Sequence, residues 1–224
     1  MFDRTITLVG EENFNKIKEK TILIVGLGGV GGYATESLVR SGIHNLILID
    51  HDNIDITNIN RQVIANTSNI GLSKVDEFKK RILEINPNCN VITHKLFLDR
   101  NTYKILDDYQ IDYIVDCCDS VEAKKLLIDY SISKNIKLIS SMGTANKLNP
   151  TKLTITDIRK TSYDPLAKIL RKYVNDIKTN KKIMVVSSTE PPIIKKELST
   201  LIFVPATAGL LCGNYIIKDI IDKK

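Results

Sequence analysis

Apolar residues run together at 22–25 (ILIV) and again at 46–49 (LILI). Short unbroken apolar runs bounded by turn residues predict strands buried on both faces. Between them lie a glycine turn at 26–31 (GLGGVG) and a helical stretch to about residue 40, and the second run ends in Asp50. Further strands are predicted at 90–97, 112–117 (DYIVDC) and 137–141, and helices at 11–20, 73–85, 101–108 and 121–133. The first ten residues look extended or irregular. After residue 142 the pattern changes. Residues 152–158 (KLTITDI) alternate, which suits an antiparallel or edge strand. Asp164-Pro165 reads as a helix cap followed by a first-position proline. A strand at 183–187, a loop at 188–199 and a helix at 207–221 complete the chain.

Three helices carry more than periodicity. In the helix at 73–85, Val75, Phe78, Ile82 and Ile85 form an apolar face, and Ser73 with Asp76 matches a capping box. Lys74 sits at its first position, where a cation opposes the macrodipole. It is either a solvated lysine or a functional one. After Pro165, Leu166, Ile169, Leu170 and Tyr173 share one face, with Lys168, Arg171 and Lys172 opposite. A solvated helix face is the simpler reading of that basic run, and a phosphate-backbone contact the sharper one. The last helix lies in an apolar stretch, 201–217, broken by Pro205, Gly209, Gly213 and Asn214. It is short for a bilayer span and suits a buried helix or a subunit contact.

Strand, glycine turn, helix, strand and acidic end together form a dinucleotide-binding fingerprint in its expected context. Gly26 makes the tight turn, Gly28 lets backbone N–H groups approach a phosphate, and Gly31 lets the helix sit close on the strand. Asp50 falls about 20 residues on, where a ribose hydroxyl would be held. The fold expected is α/β: a Rossmann-like, mainly parallel sheet with helices on both faces and additional antiparallel strands in the C-terminal half. One domain is expected over 1–224, with its nucleotide-binding half at about 1–142.

The fingerprint leaves the nucleotide open. Residues 50–71 form a polar connection longer than usual, leaving the ligand-binding edge of the sheet. It carries Asn58, Asn60, Arg61 and Gln62 in one cluster. For NAD, a catalytic residue for hydride transfer is expected, and His44, His51 and His94 lie in no recognisable catalytic setting. For ATP, adenylation of a carboxylate needs fixed cations and a metal. Arg61 and Lys74 can supply the cations, Asn58 and Gln62 can orient phosphates, and Asp119, at a strand end beside a helix start, can hold Mg²⁺.

Composition changes this picture only slightly. The chain has 224 residues, a net charge of +6 and a pI near 9.0, so an anionic partner such as nucleic acid and a plain basic surface are both open. Its four cysteines, Cys89, Cys117, Cys118 and Cys212, form no CxxC pair, which argues against a zinc site and a disulfide framework. Cys117 and Cys118 read as small buried hydrophobes. With no signal peptide, a cytoplasmic and non-membrane protein is expected.

The motifs GLGGVGG (26–32), LILIDHD (46–52), TNINRQ (57–62), GLSK (71–74) and DCCDS (116–120) resemble the ubiquitin-activating-enzyme-like, ThiF-type superfamily of adenylating enzymes. The resemblance implies an ATP site of Gly26, Gly28, Gly29, Gly31, Asp50, Asp52, Asn58, Arg61, Gln62 and Lys74. It implies Asp119 as the metal-linked acid for Mg²⁺. It also implies a homodimer in which Arg4, in FDRTITLVG, reaches the partner's ATP, so that Arg61, Lys74, Asp119 and Arg4 form the catalytic set. The second half, 140–172 with SSTEPP (187–192) and FVPATAGL (203–210), is similar to the tRNA threonylcarbamoyladenosine dehydratases. Those enzymes adenylate the carboxylate of N6-threonylcarbamoyladenosine in tRNA and cyclise it with loss of water. This makes 143–224 a tRNA and dimer half, with Lys168, Arg171 and Lys172 as tRNA contacts. Members often carry a longer segment between Pro192 and Phe203, where this chain has only IIKKELSTLI, so closure over substrate or contact with a sulfur-transfer partner would differ here. The alternatives are an adenylyltransferase for a ubiquitin-like sulfur carrier, an inactive ATP- or tRNA-binding protein and, last, a dehydrogenase.

Overall fold

The computed structural model describes residues 1–194 and 197–222. Strands β1 (Thr21–Val25), β2 (Asn45–Ile49), β3 (Asn90–His94), β4 (Tyr113–Asp116), β5 (Lys137–Ser141), β6 (Leu153–Asp157) and β7 (Met184–Ser188) form one sheet of order β3-β2-β1-β4-β5-β7-β6. Every neighbouring pair is parallel except β6 with β7. The apolar runs of β1 and β2 follow from cover on both faces. One face carries α2 (Glu11–Glu19), α3 (Gly31–Arg40), α4 (Lys74–Ile85) and α7 (Phe203–Ile221), packed through Ile17, Leu38, Phe78 and Ile216. The other carries α5 (Val121–Ser133) and α6 (Pro165–Asp176), packed through Leu127, Leu170 and Val174. The chain leaves β1 toward β2 on one side and later returns to β4 on the other. That reversal opens a crevice at the C-terminal ends of β1 and β4.

The apolar stretch near the C-terminus is a buried helix. Helix α7 lies against α3, and small residues make the approach possible. A Cβ on Gly209 would sit 2.2 Å from the Val30 carbonyl oxygen, and one on Gly213 would sit 2.1 Å from Ser37 Oγ. The first obstacle is backbone and the second a side chain. Gly209→Ala is therefore expected to cost about 1–3 kcal/mol by overpacking, read as a fall in Tm. Gly213→Ala should fall similarly but recover in part when Ser37→Ala is added.

Several elements differ from the sequence reading. Residues 3–9 are a helix, α1 (Asp3–Val9), rather than extended or irregular; none of its residues is buried and no side chain caps it, so nothing periodic marks it. Helix α7 begins at Phe203 rather than 207, because Pro205 falls in the first turn, where its missing N–H costs no intrahelical bond. The 101–108 helix is a shorter 3₁₀ segment, Tyr103–Asp108. Helix α6 buries Ala167, Leu170 and Val174, while Ile169 is 48% exposed, so the apolar face is rotated from the one expected. Ser73 stands before α4 but makes no cap bond, and its hydroxyl is buried without a partner, so the capping box with Asp76 does not form. Among the described residues no helix is long and apolar enough to cross a membrane.

Candidate active site

A cavity of about 770 Å³ fills the crevice. Its floor is the glycine turn after β1. Gly26 has a φ of +86°, and a Cβ there would meet the Cys117 carbonyl at 2.8 Å, so the turn presses directly on the end of β4. A Cβ on Gly31 would lie 1.8 Å from the Gly26 carbonyl oxygen, which fixes glycine at the start of α3. Gly28 is different: a Cβ there would meet nothing nearer than Gln62 Nε2 at 3.7 Å. Its backbone faces open space, and no side chain caps α3. The Gly32 N–H already donates to the Gly28 carbonyl at 2.9 Å, so the groups open to an anion are the N–H groups of the turn just ahead of it, with the helix dipole behind them.

Asp50 ends β2 and is buried. One carboxylate oxygen accepts the Leu27 N–H at 2.6 Å and the other the Asp52 N–H at 2.8 Å. The acid therefore ties the glycine turn to the loop after β2, and a carboxylate has lone pairs left for a ribose hydroxyl. Asp52 holds Lys74 twice: its carbonyl accepts the Lys74 N–H at 3.1 Å and its carboxylate accepts Nζ at 2.7 Å. Lys74 is only 4% exposed, yet it lines the cavity, so it is not a solvated lysine. Asp50, His51 and Asp52 bring ligand atoms within 4.8 Å of one another, but Asp50 is engaged by backbone and Asp52 by Lys74.

The loop after β2 supplies the remaining polar wall. Asp55 caps a short 3₁₀ turn, Ile56–Asn58, and Asn58 reciprocates by accepting the Asp55 N–H at 3.2 Å. The turn delivers Arg61, whose Nη1 donates to the Thr57 carbonyl at 2.7 Å and to Asn60 Oδ1 at 2.9 Å. A Cβ on Gly29 would be 3.3 Å from Arg61 Cγ, so this glycine makes room for the arginine stem. Gln62 is buried beside Gly28, and its Oε1 has no partner. A buried orphan polar atom costs about 1–3 kcal/mol, which marks it as a group for a ligand to satisfy.

On the β4 side, Cys117, Cys118 and Asp119 line the cavity. The Cys117 thiol is held well above the ordinary range by its hydrogen bond with Cys212 and then by burial. Burial, and then the charge of Asp116, do the same to Cys118. Neither is a thiolate at neutral pH, so neither is a nucleophile. Asp119 is exposed to the cavity and makes no hydrogen bond or ion pair with the described residues. Beneath it lies a group the sequence reading missed. Asp116 and Lys124 are both 0% exposed and bonded at 3.0 Å. Lys124 Nζ also donates to Ser140 Oγ and the Ser141 carbonyl, and Ser140 Oγ donates to Asp116 at 2.6 Å. The Asp119 loop is anchored through the Cys118 N–H, which donates to Asp116 at 3.3 Å.

Three of the expected site cations lie outside this cavity, and so does Arg4. Lys168 and Lys172 are exposed on α6. Arg171 is half-buried and committed to structure, since its Nη1 donates to the Thr161 carbonyl at 2.6 Å and to Oγ1 at 2.9 Å. Arg4 is exposed on α1 and does not line the cavity of its own chain.

The fold and cavity define a doubly wound α/β protein of nucleotide-binding architecture, with two cations, Arg61 and Lys74, on the wall of its cavity. More specifically, the chain matches the ThiF family over residues 2–221 and belongs to it. It is 39% identical to the tRNA threonylcarbamoyladenosine dehydratase of Bacillus subtilis (strain 168), with 98% of this chain and 94% of that protein covered. To the protein of that name from Escherichia coli (strain K12) it is 35% identical, covering 92% and 80%. Its structure is similar to that of E. coli tRNA N6-threonylcarbamoyladenosine dehydratase, TcdA, in complex with ATP, with a TM-score of 0.93, 33% identity and coverage of 99% and 94%.

Proposed function

We propose that the protein is an ATP-dependent dehydratase acting on N6-threonylcarbamoyladenosine in tRNA. The observation that carries this reading is the convergence of Arg61, Lys74 and Asp119 on one cavity floored by the glycine turn. The substrate carboxylate attacks the α-phosphorus of ATP and pyrophosphate leaves. A nucleophilic atom of the substrate's own side chain then attacks the acyl carbon, expelling AMP and closing a ring with net loss of water. No enzyme nucleophile is required, which agrees with the protonated thiols of Cys117 and Cys118. Arg61 and Lys74 hold the phosphate oxygens where negative charge grows. Asn58 and Gln62 orient them, and Asp50 takes the ribose.

Mg²⁺ fits the donor set, because it takes one or two carboxylates plus phosphate oxygens. Asp119, with no internal bond, is the carboxylate that would hold it. The metal would supply charge neutralisation on the departing pyrophosphate. The test is mass spectrometry of nucleosides after incubation with ATP, Mg²⁺ and tRNA carrying threonylcarbamoyladenosine, handled mildly so that the ring survives. A nucleoside lighter by one water is expected. Its absence, with ATP still bound, would move the assignment to a carrier-protein adenylyltransferase.

The protein acts as a cytoplasmic homodimer in this reading, with Arg4 reaching the partner's ATP. Arg4→Ala and Arg61→Ala should each be inactive alone. Mixed after reversible dissociation, they should regain about a quarter of wild-type activity, since one site in half of the dimers is intact. No recovery would remove the trans role of Arg4. For tRNA, Lys168→Ala and Lys172→Ala should each weaken binding uniformly and lower the salt slope by about 1. Arg171→Ala should also lower Tm, because it loses the Thr161 anchor.

A further inference from the structure

Asn60 sits between the phosphate-binding arginine and the second half of the chain. Its Oδ1 accepts from Arg61 Nη1 at 2.9 Å, and its Nδ2 donates to the Thr200 carbonyl at 3.1 Å. The partners fix the orientation of the amide, because a guanidinium only donates and a carbonyl only accepts. Leu198, Ser199 and Thr200 line the same cavity as Arg61. Ser199 is in turn clamped by Asn146: the Asn146 N–H donates to the Ser199 carbonyl at 2.7 Å, and the Ser199 N–H donates to Asn146 Oδ1 at 2.8 Å. Asn146 Nδ2 also donates to the Ile194 carbonyl at 3.0 Å. Asn146 holds a φ of +61°, a left-handed conformation that asparagine tolerates better than most residues. Hydrogen bonds at each end, joined by the backbone from Thr200 to Ser199, therefore link Arg61, Asn60, the wall at residues 199–200 and Asn146.

We propose that Asn60 is a positioning residue that sets the Arg61 guanidinium according to the placement of the 199–200 wall, so that Asn146 acts on ATP binding through Asn60. The wall comes from the half of the chain that follows β5, whereas the glycine turn and Arg61 come from the half before it. Asn60 joins the two by side-chain hydrogen bonds beside Arg61. Without it, Arg61 keeps only the Thr57 carbonyl, a contact within its own turn that carries no information about the wall. The inference rests on the ATP reading of the cavity and is independent of which acceptor is activated.

The test is a double-mutant cycle read by ATP affinity in calorimetric titration. Asn60→Ala removes both amide bonds. Asn146→Gly removes the two side-chain bonds of Asn146, keeps its main-chain ones and tolerates the positive φ. Asn60→Ala should weaken ATP binding about fivefold, as expected for lost bonds around a charged group. Asn146→Gly should weaken it by a smaller factor. The double variant should bind no more weakly than Asn60→Ala, because the second change acts through the first. Neither single change should alter affinity in an Arg61→Ala background. Wild-type affinity in Asn146→Gly, or effects that multiply independently in the double variant, would overturn the proposal. Failure of the ATP reading itself would look different, since no protein in the set, wild type included, would bind ATP.

Discussion

Arg61→Ala is expected to lower ATP-dependent turnover by about 10²–10³-fold, the cost of removing one preorganised group that meets developing charge. Arg61 is already held at two points, by the Thr57 carbonyl and by Asn60, before any ligand arrives. Charge grows on the phosphates as pyrophosphate leaves, and a guanidinium fixed in advance meets it without reorganisation. The fold should not suffer, because both bonds lie at an exposed turn and the core does not use the side chain. Wild-type Tm with lost turnover is therefore the expected pair of results. Arg61→Lys keeps the charge but loses the planar fork, so it should recover only part of the rate. Turnover within a few-fold of wild type in Arg61→Ala would remove the arginine from the catalytic role.

How far this site could be read beforehand depends on the range over which each residue finds its partner. The glycine turn was legible because glycines at short fixed spacing are a local pattern, although only Gly31 meets another of them, at the Gly26 carbonyl, while Gly26 presses on the distant Cys117 and Gly28 faces the open cavity. Asp50 was legible as an acid at the end of β2, but its bond to the Leu27 N–H is a property of the assembled sheet. Lys74 was visible only as a local oddity, a cation where the macrodipole disfavours one. The reason lies in Asp52, far back in the chain, which binds both its backbone and its ammonium. Helix α1 was missed for the opposite reason, since a helix that buries nothing leaves no apolar period.

The reversed failure occurs on α5. Its lysine at 124 looks like an ordinary surface cation, yet it is one of the largest fully buried side chains. Nothing local distinguishes it, because the helix buries Ala123, Lys124, Leu127, Ile128, Tyr130 and Ser131 and so has little polar face to contrast with. Its partner acid is eight residues back, and its other contacts belong to the end of β5. The pair becomes visible only once α5 is packed over the paired ends of β4 and β5.

Lys124→Met should accordingly be the most destabilising single change, at about 3–5 kcal/mol, because it leaves the Asp116 carboxylate buried without its counter-charge. Ser140 Oγ and the Cys118 N–H would remain on that carboxylate, but neither brings charge. Adding Asp116→Asn removes the stranded charge and should restore part of the loss, which a simple packing defect at residue 124 would not allow. The pH dependence follows from the sign of the lysine shift. Burial alone would lower the Lys124 pKa, but the attraction of Asp116 overcomes it and the net shift is upward. A lysine raised in the folded state contributes stability in full below its unfolded value, about 10.4. That contribution is lost only as pH rises through the higher folded value. The stability gap between wild type and the Lys124→Met, Asp116→Asn double variant, which strands no carboxylate, should therefore stay constant from pH 6 to about 9 and narrow only in stronger alkali. Denaturant titrations across that range would measure it, and a gap that closes near neutrality would mean that Lys124 is not charged in the folded protein.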